Sequence, residues 1–117
     1  METITSKIID LSYLEITFGG NKVIINKILK SFIDSASDLV LELTNNVNES
    51  NWENVKMIAH KMKSSYNTIG AKTTGNILER IELESAQENK TTIILLINQV
   101  KKISQQVIKE VEKELNK

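Results

Sequence analysis

Apolar residues recur along this chain at spacings of three and four, and short polar or glycine-bearing clusters interrupt the recurrence. That period is the mark of helices that bury one face. Leu11-Ser12-Tyr13-Leu14-Glu15-Ile16 follows Asp10, an aspartate able to accept backbone N–H bonds at a helix start, and Gly19-Gly20 follows it. A short lead-in helix over 11–18 is predicted. Ile25, Ile28, Leu29, Phe32, Ala36, Leu39, Val40 and Leu43 then keep the period and predict a long helix over 21–46, broken by Asn45-Asn46-Val47-Asn48. Ser50-Asn51-Trp52-Glu53 fits a capping box, so the next helix is predicted over 51–69, ending before Gly70. Its buried stripe is Trp52, Val55, Ile58, Ala59, Met62, Tyr66 and Ile69. A helix over 73–88 follows with Ile77, Leu78, Ile81 and Ala86 facing inward. Gly75 near its start costs about 1 kcal/mol if helical and blurs that boundary. Beyond the polar corner Glu88-Asn89-Lys90-Thr91, residues 92–115 carry Ile93, Leu96, Ile97, Val100, Ile103, Val107, Val111 and Leu115. Their last turns, rich in Lys and Glu, are expected to be solvated and to fray.

Four amphipathic helices with short connections pack best as an antiparallel up-down four-helix bundle, here with the short lead-in helix before it. The expected organisation is one all-α domain over 1–117, with no internal repeat, low-complexity segment or linker. The length suits a single core. There is no proline, and only four glycines occur.

Charge and composition narrow the function classes. Fifteen basic and fifteen acidic residues cancel, which removes the electrostatic footprint of a nucleic-acid binder. The absence of cysteine excludes disulfides, thiolate metal sites and thiol nucleophiles. A single histidine excludes histidine-rich metal sites, while carboxylate sites for hard cations stay open. Met1 to Lys7 lacks the charged start and apolar run of a signal peptide. The longest apolar run, Ile93 to Ile97, is too short to span a bilayer. A cytoplasmic monomer without membrane insertion is the expectation.

The one histidine, His60, falls within the helix predicted over 51–69. At ~100° per residue it points roughly 150° from the centre of the apolar stripe, and so outward. Lys56 and Met57 lie a turn before it, Lys63 and Ser64 a turn after. Such a ring is commonly an ordinary surface residue. Yet an imidazole that is exposed, held by a rigid helix and approached across a small side chain can carry a phosphoryl group. Lys63 would offset the added charge of roughly −1.5 to −2, and Ser64 would leave a partner room. Lys56 and Lys61 could assist or only solvate the helix, and Asn67 could donate a hydrogen bond or be inert. Arg80 and Glu82 could reach the same face, but solvated charges fit them better, with Arg80 facing Glu84 at i+4. Trp52 and Tyr66 suit core or boundary packing.

His60-Lys61-Met62-Lys63-Ser64-Ser65 with Ile69-Gly70-Ala71 resembles the signature of histidine-containing phosphotransfer domains. That signature is a histidine, an apolar residue two on, lysine three on, then two small residues and a glycine ten on. Met62, Lys63, Ser65 and Gly70 match in place. Asp10-Leu11-Ser12-Tyr13-Leu14, Gly19-Gly20, Phe32 and Leu78-Glu79 are similar to further family features. Ser64 departs, because the family most often has glycine there to keep the histidine accessible.

The resemblance implies a phosphoryl carrier with no kinase activity of its own. His60 would accept the group from a receiver-domain aspartate and pass it to a second receiver, in a relay fed by a hybrid sensor histidine kinase. It implies no cofactor in this chain, the Mg²⁺ and most catalytic groups belonging to the receiver. Met57, Lys56, Lys61 and Asn67 become receiver-binding candidates, although a stray exposed methionine is an equally ordinary reading of Met57. Ser64 raises one alternative, a module that binds receivers without transferring phosphate. A general base at His60 would need an orienting carboxylate and a substrate pocket, neither of which is legible in the sequence.

Overall fold

The computed structural model describes residues 8–117, and these form five helices and no strand. They are α1 (Ser12–Thr17), α2 (Lys22–Asn48), α3 (Trp52–Thr68), α4 (Lys72–Ala86) and α5 (Lys90–Leu115). The Met1–Lys7 start, seen in the sequence as lacking a signal peptide, lies outside the described residues. Among the described residues no helix is long and apolar enough to cross a membrane.

The four long helices close a ring of neighbours. α2 packs on α3 and α5, and α4 packs on α3 and α5. The apolar stripes meet inside that ring: Leu29, Leu43, Val55, Met62, Leu78, Ile81, Ile93 and Val100 are essentially inaccessible. Tyr66 anchors the middle. Its ring meets Phe32 edge-to-face at 4.9 Å, and its hydroxyl shares a buried hydrogen bond with Ser104. An edge-to-face pair adds roughly 0.5–1.5 kcal/mol beyond its burial. Burial raises the Tyr66 phenol above its ordinary pKa, against the Ser104 bond, so it stays neutral. Trp52 is partly buried against the same core.

Asparagines start three of the helices. The side chains of Asn21, Asn51 and Asn89 accept from the amides of Ile24, Asn54 and Thr92, at 3.3, 3.5 and 3.4 Å. Each such cap contributes about 1 kcal/mol. The cap of α3 is therefore Asn51, not the expected Ser50–Glu53 box. Ser50 takes a positive φ of 56° in the preceding turn, and its hydroxyl accepts from Lys90 Nζ at 3.1 Å. Lys90 also donates to the Asn48 carbonyl at 3.0 Å, tying the α2–α3 corner to the start of α5.

Other boundaries move for visible reasons. α2 runs through Asn45–Asn48 because Val47 is buried, and Asn46 Nδ2 donates back to the Glu42 carbonyl at 2.8 Å. Burial there outweighs the turn preference of asparagine. α4 buries Ser85, whose hydroxyl donates to the Ile81 carbonyl at 2.7 Å, while Ala86 is exposed. α5 is helical through Leu115. Val111 is fully buried, Leu115 packs on the core, and Glu110 accepts from the Ile8 amide at 3.1 and 3.2 Å.

The segment before α1 crosses one end of the bundle. Ile9 and Leu14 are buried, and the Asp10 amide donates to the Ile69 carbonyl at 3.1 Å. Gly70 permits this. It has φ +73°, and a Cβ there would run into the Asp10 backbone. Asp10 opens α1 by accepting from the Ser12 amide and hydroxyl at 2.9 and 2.6 Å, although Leu11 occupies the cap position.

Candidate functional site

His60 stands in the middle of α3 on the face turned from the core, with 66% of its side chain exposed. Val55, Ala59, Met62 and Tyr66 bury the opposite side and hold the helix in place, so the ring has a fixed base. Ser64 and Asn67 are exposed on the same face.

A carboxylate meets the ring from the neighbouring helix. Glu82 of α4 places Oε2 3.0 Å from His60 Nδ1 and Oε1 3.1 Å from Lys63 Nζ. Lys63 also lies 3.9 Å from Glu79. Glu82 flanks the buried line through Leu78 and Ile81 on the side facing α3, and only 17% of its side chain is exposed. Burial pushes its pKa up, but hydrogen bonds from Lys63 and His60 and the Lys63 charge outweigh this, leaving the carboxyl below its ordinary value. Glu82 is thus a carboxylate at neutral pH and can only accept, so Nδ1 carries the proton. In the neutral ring Nε2 then holds the free lone pair. Here the sequence reading is corrected: Glu82 is not a solvated charge but the partner of both His60 and Lys63. Arg80 does keep to Glu84, at 4.0 Å.

The ring also borders a cleft of about 310 Å³ lined by Tyr13, His60, Lys63, Ser64, Asn67 and Thr68. The structure therefore gathers Lys63, Ser64 and Asn67 with His60. Lys56, Met57 and Lys61 are exposed on α3 outside this cleft, Met57 at 64%. Asn67 lies over the buried Gly75 of α4, where a Cβ would collide with its Oδ1. Sequence reasoning missed Tyr13 in this role. Helical spacing places it on α1, but only the packing of residues 8–10 against Gly70 carries α1 beside the end of α3.

The arrangement offers a fixed imidazole with one nitrogen protonated by contact with a carboxylate and the other available as a nucleophile, beside an ammonium group. Among the described residues, no cluster of three or more His, Asp or Glu side chains could hold a metal ion.

No curated protein and no solved structure matches the chain. The family model of the Hpt domain matches residues 27–114, which takes in most of α2 and all but the last residue of α5. Hpt domains are phosphocarriers rather than enzymes, and they work with receiver domains and histidine kinases in phosphorelays. With a match over well more than half its length, and with an exposed histidine on a helix of an all-helical fold, the chain belongs to the Hpt domain family and so to histidine phosphotransfer in phosphorelay signalling.

Proposed function

We propose that His60 is the phosphoryl acceptor, taking the group from the phosphorylated aspartate of one receiver domain and passing it to that of another. The observation that carries this reading is the Glu82–His60 contact at 3.0 Å, which assigns the proton to Nδ1 and leaves Nε2 free on an exposed ring. In the transfer, the Nε2 lone pair forms the N–P bond as the P–O bond of the acyl phosphate breaks. The receiver carboxylate leaves with that electron pair, and no proton need move. The ring becomes positively charged, and the Glu82 carboxylate lies where it stabilises that charge. Lys63 offsets the charge of the incoming group, and Ser64 leaves clearance with only a hydroxymethyl group.

Mg²⁺ and the remaining catalytic groups belong to the receiver in this scheme, and a hybrid sensor histidine kinase lies upstream. Met57, Lys56, Lys61 and Asn67 frame the surface on which the receiver docks. We also infer one up-down bundle domain over 1–117, acting as a cytoplasmic monomer. The exposure of His60 and the cleft beside Ser64 favour transfer over a module that only binds receivers.

The test is transfer from a panel of phosphorylated receivers with Mg²⁺, comparing wild type with His60→Gln. Acid-labile label on wild type and none on the variant is the expected result. Receiver binding without label on wild type would refute the carrier reading.

A further inference from the structure

The cleft beside His60 is lined by hydrogen-bond donors and by no carboxylate. Thr68 already donates to the Ser64 carbonyl at 2.8 Å, and Lys63 directs one hydrogen at Glu82 while its ammonium keeps others. The Tyr13 and Ser64 hydroxyls and the Asn67 amide bond no protein group among the described residues. Three uncommitted neutral donors and an ammonium thus line the cleft that the His60 ring borders. That is the chemistry of a pocket for an anion attached to the ring.

Tyr13 comes from outside the part of the chain that the family model matches, which begins at residue 27. A helix as short as α1, with six residues, does not hold itself in water. It is held by the buried Leu14, by the Asp10 amide on the Ile69 carbonyl at 3.1 Å, and by the Ile8 amide on Glu110 at 3.1 and 3.2 Å. The segment is latched at both ends of its path, and the latch brings Tyr13 to the cleft.

We propose that Tyr13 and Asn67 donate hydrogen bonds to the phosphoryl group carried by His60, so that the latched amino-terminal segment sets the lifetime of the phosphohistidine. This rests on His60 being the acceptor. Hydrolysis breaks the N–P bond as a water oxygen bonds to phosphorus, the nitrogen recovering its lone pair and inorganic phosphate leaving with the water protons. The phosphoryl oxygens carry less charge in the loose transition state than in the bound group. Donors fixed on those oxygens therefore stabilise the phosphohistidine more than the state through which it is lost, and they slow the loss.

The experiment uses the full chain phosphorylated by a small phosphoramidate, so that no receiver surface takes part, and follows acid-labile label or phosphorus resonances with time. Tyr13→Phe keeps the ring and removes the donor. It is expected to shorten the lifetime about fivefold, a typical cost of one lost hydrogen bond, with helix content unchanged. Glu110→Ala, which removes the Ile8 contact and loosens the latch, should shorten it in the presence of the Tyr13 hydroxyl and add nothing once Tyr13→Phe is in place. Equal lifetimes for wild type and Tyr13→Phe would overturn this assignment alone. A wild-type chain that takes no label from the phosphoramidate or from any phosphorylated receiver would overturn the acceptor reading, and this inference with it.

Discussion

The two edges of the His60 ring face opposite chemistries. On the α4 side a single carboxylate, mostly buried and paired with Lys63, meets Nδ1 at 3.0 Å. Beside the ring lies an open cleft whose walls carry hydroxyl, amide and ammonium groups. The first edge suits the positive charge that the ring would gain in the proposed transfer, and the second suits the negative charge of the group it would receive. A histidine between such edges is polarised by its position. Lys63 is the one side chain common to both, since it pairs with Glu82 and also lines the cleft.

That contrast is broken most sharply from the carboxylate edge. Glu82→Ala removes the acceptor that fixes the tautomer and leaves Lys63 its longer contact with Glu79. Losing a hydrogen bond to a charged group costs about 1.5 kcal/mol at the low end of its range, so transfer into His60 should slow roughly tenfold. Glu82→Gln retains an acceptor oxygen but not the charge, and its rate should lie between. Stopped transfers from one phosphorylated receiver measure both. Equal rates in all three proteins would remove Glu82 from the chemistry.

The shared residue should give a smaller and more divided effect. Lys63→Ala is expected to shorten the phosphohistidine lifetime a few-fold, since a charge pair open to solvent on the cleft side contributes up to about 1 kcal/mol. Ser64→Gly, by contrast, should preserve or improve transfer, because it only widens the approach. A large loss in Ser64→Gly would show that the hydroxyl itself serves the bound group.

The two edges were also unequally legible. The stripe Val55, Ile58, Ala59, Met62, Tyr66 and Ile69 reports its own burial through spacing, and from it the outward direction of His60 follows by rotation alone. The long helices were legible for the same reason. Glu82 lay within reach on paper, but an acidic residue beside a buried line looks the same whether it faces water or a neighbouring helix. The α3–α4 packing decides that. Tyr13 was less accessible still, because its place depends on Gly70 making room for the Asp10 backbone far along the chain. The Asn45–Asn48 boundary failed for another reason: local turn preference was visible, and the burial of Val47 that overrides it was not.

Acid provides a gentler probe of the carboxylate edge. Glu82 has a depressed pKa in the folded chain, so the stability its pairing gives is present above its unfolded value. It is lost as pH falls through the lower folded value. Thermal unfolding of wild type and Glu82→Gln should therefore differ above the ordinary value of 4.5 and converge as pH falls below it. A difference that persisted through strong acid would mean that the paired charge does not cause it.

The smallest effect expected is at Gly75, and it separates the cleft from the fold. Gly75 lies inside α4, where alanine would favour the helix by up to about 1 kcal/mol. Its Cβ would take the space that Asn67 Oδ1 now occupies, and that oxygen ends a side chain free to swing into solvent. Gly75→Ala should thus leave the melting temperature unchanged or slightly raised while turning the Asn67 amide away from its present place. If that amide bonds the phosphoryl group, the phosphohistidine lifetime falls modestly in a protein that is no less stable. If the lifetime holds, Asn67 contributes nothing at the open edge, and Tyr13 with Lys63 must account for it. A marked loss of stability would instead show that the α3–α4 contact cannot yield at this point, and that Gly75 serves the close approach of the helices that brings Glu82 to His60.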